Sequence, residues 1–182
     1  MREIWLGPNR RVLWISMVIP AGVTLLSVIV LGVTLAQGWN WVRLTSLLFA
    51  SWGLVGTWLL WRAIHIPRLA YEDEHLLVYL RSGAPIRVPI EVVEVFFLGQ
   101  ASAEVAEEER EASTVVVRLA ERAKDWHEVD VRPALGAWTD GYITIRGTWC
   151  EPLRPELLQQ LNSRLAAIRR ERRALSEKGA TP

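Results

Sequence analysis

Chemistry in a chain begins with nucleophiles, bases and metal ligands, and here they are few. The single cysteine is Cys150, between Trp149 and Glu151. One thiol closes no internal disulfide, which fits a reducing compartment. A nucleophilic thiol needs a base, and the sequence places none beside it, so Cys150 reads as a buried, inert thiol. The histidines are His65, His75 and His127, without the paired His or Cys spacing of a zinc site. Asp125-Trp126-His127-Glu128 is locally polar and reads as a turn entering a strand. Glu107–Glu109 offers clustered carboxylates, but no apolar setting that would raise a pKa for acid catalysis. No glycine-rich phosphate loop or Gly-x-Ser-x-Gly elbow occurs. These residues predict no catalytic constellation, no metal and no cofactor.

The elements that must carry such residues divide the chain in two. Of 182 residues, 51% are hydrophobic and 23% charged, and the net charge is +1. That total is a cancellation. Residues 1–65 carry five Lys/Arg and one acid, whereas residues 66–182 carry sixteen and nineteen. Seven of the ten tryptophans fall in the first 61 residues. Such a split argues against a single soluble globule and against a strongly basic nucleic-acid binder, so no nucleic-acid partner is expected.

Val12–Ala36 runs for twenty-five residues without a charge, and Leu44–Trp61 for eighteen. About twenty helical residues cross a bilayer core of ~30 Å. Two spans are expected, about 12–36 and 43–64, joined by a turn at Gln37–Trp41. The first run is too long for a signal peptide's apolar region, and a second follows at once. Trp5, Trp14, Trp58 and Trp61 fall near the expected ends, as in an interfacial aromatic belt. Arg2, Arg10 and Arg11 precede the first span and Arg62 and Arg68 follow the second, with only Arg43 beside the turn. The positive-inside rule then puts both termini in the cytoplasm. Neither span carries an interior Asp, Glu or Lys, which argues against a transporter. Pro20 and Gly22 read as a kink or a packing notch. Ala50, Gly53 and Gly56 give the second span a small-residue face for the first span or for another protein.

Beyond Pro67 the pattern alternates. His75–Leu80, Ile86–Pro89, Val92–Leu98, Thr114–Leu119, Glu128–Val131 and Tyr142–Gly147 read as short strands, with a tight turn at Asp140-Gly141. This is a small antiparallel barrel or sandwich. Gln100–Ala112, with five glutamates, reads as a solvated loop, with a short helix or a site for a cation or basic partner as the alternatives, and Arg132–Thr139 reads as a second loop. Pro155 opens a helix with Leu157, Leu158, Leu161, Leu165 and Ile168 on one face. Arg164 lies beside that stripe and Arg169, Arg170, Arg172 and Arg173 follow it, either as the solvated end of a docking helix or as a contact for anionic lipid or a partner.

Three stretches carry a family resemblance: Tyr71–Tyr79, Ile86–Val95, and Gly141–Gly147 with the Pro155–Ile168 helix. Together they resemble the bacterial pleckstrin-homology-like (PH-like) membrane proteins over about residues 68–170. The resemblance implies a membrane α-helical hairpin plus an all-β PH-like barrel capped by a C-terminal α-helix, with no enzymatic activity. The expected organisation is a tail and hairpin over residues 1–66, a cytoplasmic β domain over 67–170 and a flexible basic tail over 171–182. The expected function is an interaction or scaffold module at the inner face of the cell membrane, with the bilayer and an unidentified protein as partners. One alternative is an accessory subunit of a membrane complex. Another is a membrane enzyme with a site near His65, Arg68 and Glu72.

Overall fold

The computed structural model describes residues 2–37, 40–99 and 114–179. The acidic stretch Gln100–Ala112 lies outside the described residues, as does the centre of the expected hairpin turn. The chain divides into two compact units, Pro8–Ile66 and a second made of Met1–Gly7 together with Pro67–Pro182.

The first unit is a pair of long helices, α1 (Arg10–Gln37) and α2 (Asn40–Ile64). Asn9 starts α1, its Oδ1 accepting from the Val12 amide at 3.2 Å. Arg10–Leu35 and Trp41–Ile64 have mean hydropathies of 2.4 and 1.4 and are long and apolar enough to cross a membrane. Core helices of a soluble domain are mostly buried, but only 6% and 11% of these windows are. Ile19, Leu26, Leu48 and Trp52 are among the large side chains that face outward. Water penalises so continuous an apolar exterior, whereas lipid does not.

Where α1 and α2 meet, small residues allow close approach. A Cβ on Gly53 would stand 2.4 Å from Thr24 Oγ1 and 2.8 Å from the Pro20 carbonyl oxygen. One on Gly56 would stand 3.3 Å from Pro20 Cβ. Pro20 therefore marks a packing notch, and Thr24 Oγ1 donates to its carbonyl at 2.8 Å. Gly22 takes no part, because a Cβ there would meet open space. Arg43 folds back to donate to the Thr34 and Leu35 carbonyls at 2.8–3.0 Å, satisfying orphan acceptors at the C-terminal end of α1.

The second unit holds two four-stranded antiparallel sheets. The first is β1 (Glu3–Leu6), β2 (Leu69–Glu72), β3 (His75–Val78) and β4 (Ile86–Pro89), paired in that order. The second contains β5 (Val93–Gly99), β6 (Thr114–Leu119), β7 (Gly136–Thr139) and β8 (Tyr142–Ile145), in the order β5-β6-β8-β7. Asp73 and Glu74 both have positive φ, as do Asp140 and Gly141, so the β2–β3 and β7–β8 turns have the twist that two-residue hairpins require. Inward residues alternate along β4, β7 and β8, and the two sheets share one core. Leu6, Leu76, Val88, Phe96, Val117 and Ile143 are among its members, each at most 2% exposed. Each such side chain contributes about 1.5–3 kcal/mol relative to exposure.

Three expectations need correction. The barrel does not close, because the sheets remain separate and share side chains rather than a continuous ladder. Glu3–Leu6, expected within a tail, is the edge strand β1, with Glu3 opposite Tyr71 and Leu6 opposite Leu69. Glu128–Val131 is not a strand, and the stretch read as a loop contains β7 instead. Trp138 explains the choice of β7: it is 2% exposed, and its ring nitrogen donates to the Trp126 carbonyl at 2.7 Å.

The third helix, α3 (Pro155–Gly179), runs well past the expected boundary at residue 170. Its Leu158, Leu161 and Leu165 join the core of the sheets.

Candidate functional site

α3 turns sequence periodicity into position. Leucines at 158, 161 and 165 fix one face inward, so Asn162, Arg164, Arg169 and Arg172 flank the buried stripe. Asn162 Oδ1 accepts from the Phe96 amide at 2.9 Å, and its Nδ2 donates to the Phe96 carbonyl at 2.8 Å. One side-chain amide thus takes the place of a neighbouring strand along β5, which is an edge of the second sheet. Arg169 Nη2 donates to the Val93 carbonyl on the same strand. On β1, the edge of the first sheet, Arg164 Nη1 donates to the Ile4 carbonyl at 3.3 Å and pairs with Glu3 at 3.4 Å. α3 therefore serves one edge of each sheet, where side chains rather than strand pairing satisfy these backbone groups.

The five arginines separate by role. Arg164 and Arg169 hold strand edges. Arg172 pairs with Glu74 at 3.6 Å and Glu91 at 3.5 Å. Arg170 and Arg173 are exposed and line a recess of about 240 Å³ with Asn162, Glu94 and Arg169. A neighbouring recess of about 450 Å³ shares Glu94 and Arg169 and adds Arg118, Glu121 and Arg122. The docking-helix reading thus accounts for three arginines, while a contact surface retains Arg170 and Arg173. Surface pairs of this kind are each worth about 0–1 kcal/mol, so the apolar stripe dominates the docking.

Other candidates have local partners. Gly53 and Gly56 receive Pro20 and Thr24 of α1, while Ala50 is half-buried. Cys150 is fully buried, and burial pushes its thiol up to about 12. Its Sγ donates to the Arg146 carbonyl at 3.4 Å, so it is a protonated thiol at neutral pH. Nearby Arg68 is 6% exposed, and its Nε donates to the Trp149 carbonyl at 3.1 Å. Burial lowers its pKa from the ordinary 12.5. His65 Nδ1 donates to the Trp61 carbonyl at 2.9 Å, and Glu72 stands opposite His75 in the β2–β3 ladder. His127 contacts the Glu121 carbonyl through Nε2 at 3.3 Å. Among the described residues no three His, Cys, Asp or Glu side chains gather as a metal-binding group.

Sequence reasoning missed Asn162, Glu94, Arg118 and Arg122. A signal was present for two of them. Glu94 and Arg118 each interrupt an otherwise apolar strand, and they pair across β5 and β6 at 3.1 Å. Comparison of the chain with family models, curated proteins and solved structures returns no match.

Proposed function

We propose that this chain is a non-enzymatic, membrane-anchored interaction module, its PH-like β domain held at the inner face of the cell membrane. The observation that carries the reading is the pairing of β1 with β2 across the whole helical hairpin. Strands that pair directly have to lie on the same side of a bilayer. An even number of crossings between them satisfies this, and α1 and α2 supply two. The flanking arginines favour the cytoplasmic side, and the unburied apolar surfaces of both helices favour lipid around them. An interaction role fits a domain whose one thiol is buried and whose α3 arginines include two directed to solvent. The accessory-subunit alternative is less well supported, since Gly53 and Gly56 already receive α1.

The test joins extraction with topology. Alkaline carbonate leaves the chain in the membrane pellet, and a reporter that works only outside the cytoplasm stays silent when fused after Pro182. Release by carbonate, or an active reporter, refutes the reading.

A further inference from the structure

The two recesses beside α3 share Glu94 and Arg169, and together their walls carry five arginines against three glutamates. The acids already have cations. Glu94 and Glu121 contact Arg118 at 3.1 and 3.3 Å, and Glu91 contacts Arg172 at 3.5 Å. Arg169 is held on the Val93 carbonyl. Arg122, Arg170 and Arg173 are exposed, and none makes an ion pair with a carboxylate whose side chain is described, a set that ends before residue 176. Arg170 and Arg173 stand three apart on the helix, where like charges repel. The helix dipole does not account for them, since its effect fades within the last turn and α3 continues to Gly179. Arg170 and Arg173 both line the recess of about 240 Å³, where their charges suit a small, strongly charged anion.

We propose that this recess binds a phosphate group, with Arg170 and Arg173 as the principal donors and Arg122 contributing from the adjoining recess. Guanidinium forks match phosphate oxygens in pairs, and a bound dianion removes the repulsion between neighbouring arginines. Arg118 with its two glutamates lines the adjoining recess, and Asn162 and Arg169 anchor the helix that presents the donors. The phosphate belongs either to a lipid headgroup or to a free anion; the chemistry is shared. The site does not depend on the membrane-anchor reading, because its residues lie within α3 and the β5–β6 sheet.

The test uses the full chain and inorganic pyrophosphate, followed by calorimetry in non-ionic micelles. Saturable binding is expected, weakened about tenfold by Arg170→Gln with Arg173→Gln, the loss two exposed charge contacts produce. Arg132→Gln with Arg154→Gln, which removes two exposed arginines elsewhere, leaves binding unchanged. Cys150 stays unreactive in both double variants, showing that the fold is retained. Repeating the titration in bilayer discs assigns the source. Weaker pyrophosphate binding in discs doped with phosphatidate than in discs given the same negative charge by oleate, which has no phosphate, identifies a lipid headgroup; equal binding identifies a free anion. Absence of binding at millimolar pyrophosphate overturns the site. So does equal weakening by the two double variants. Failure of the carbonate and reporter test leaves the micelle titration standing, so the two proposals fail separately.

Discussion

Asn162→Ala removes both hydrogen bonds that hold Phe96 of β5, at 2.9 and 2.8 Å. Each such bond contributes about 1 kcal/mol net, and water partly replaces the amide at this half-buried position, so the expected loss is about 2 kcal/mol. The protein carries its own reporter. Cys150 is the only thiol, is fully buried, and belongs to the same core cluster as Phe96 and Leu161. When reclosing is fast relative to labelling, a thiol reagent reads the equilibrium population of the open form. Since 1.4 kcal/mol is a factor of ten, labelling of Cys150 is expected to accelerate about thirtyfold. Asn162→Asp keeps the acceptor for the Phe96 amide but sets a charged oxygen against the Phe96 carbonyl, so it is at least as labile. Ser163→Ala is the matched control, because Ser163 is exposed and bonds only within the helix, to the Gln160 carbonyl. Natural-rate labelling in Asn162→Ala, or equal acceleration in Ser163→Ala, refutes the view that Asn162 stands in for a strand.

Cys150 also sets a pH dependence. Burial raises its pKa from 9.0 to about 12, so the folded chain retains a proton that the unfolded chain releases. Stability is complete below about pH 9 and falls as pH rises toward 12, with a loss of about 1.4 kcal/mol at pH 10. Tyr71 and Tyr79, also raised by burial, add the same sign at higher pH. Urea unfolding at about pH 8 and pH 10 checks this, and Cys150→Ala should be markedly less sensitive than the natural chain. In the hairpin, Gly53→Ala forces backbone apart and is expected to destabilise by about 1–3 kcal/mol. Gly56→Ala costs less, and Gly22→Ala is neutral or slightly stabilising; thermal melts in micelles give the order. Trp5 has a buried ring nitrogen without a partner and packs on Tyr71 and Phe96. Trp5→Phe should hold stability within about 1 kcal/mol, while Trp5→Ala loses about 3–5 kcal/mol by denaturant titration.

The elements the sequence made legible were those with continuous or strongly periodic apolar patterns. The helices, β3 to β6 and β8 all announce themselves by runs of branched or aromatic residues, and Asp140-Gly141 by its turn chemistry. β1 and β7 do not. Each is defined by its neighbour: β1 by Leu69–Tyr71, and β7 by Tyr142–Ile145. Such pairing is non-local information. The arginines of α3 were legible as a cluster, but their division was not. Whether a given guanidinium meets a strand carbonyl or solvent depends on helix rotation, and that is fixed by Leu158, Leu161 and Leu165 against two sheets. Asn162 was hidden for the same reason: its partner is sixty-six residues away.

β1 is synthesised before α1 and α2, and its partner β2 after them. The first strand therefore waits unpaired until both apolar helices have been made, and the sheet it completes is assembled late. The helical pair is an insertion within a sheet rather than a leading appendage. A fragment beginning at Pro67 lacks Trp5 and Leu6 from the core and exposes the edge of β2, an invitation to aggregation. Because Leu6 faces Leu69 directly, a turn of a few residues is enough to rejoin Gly7 to Arg68. Excising the helices, rather than truncating the chain, is therefore the route expected to give a water-soluble β domain.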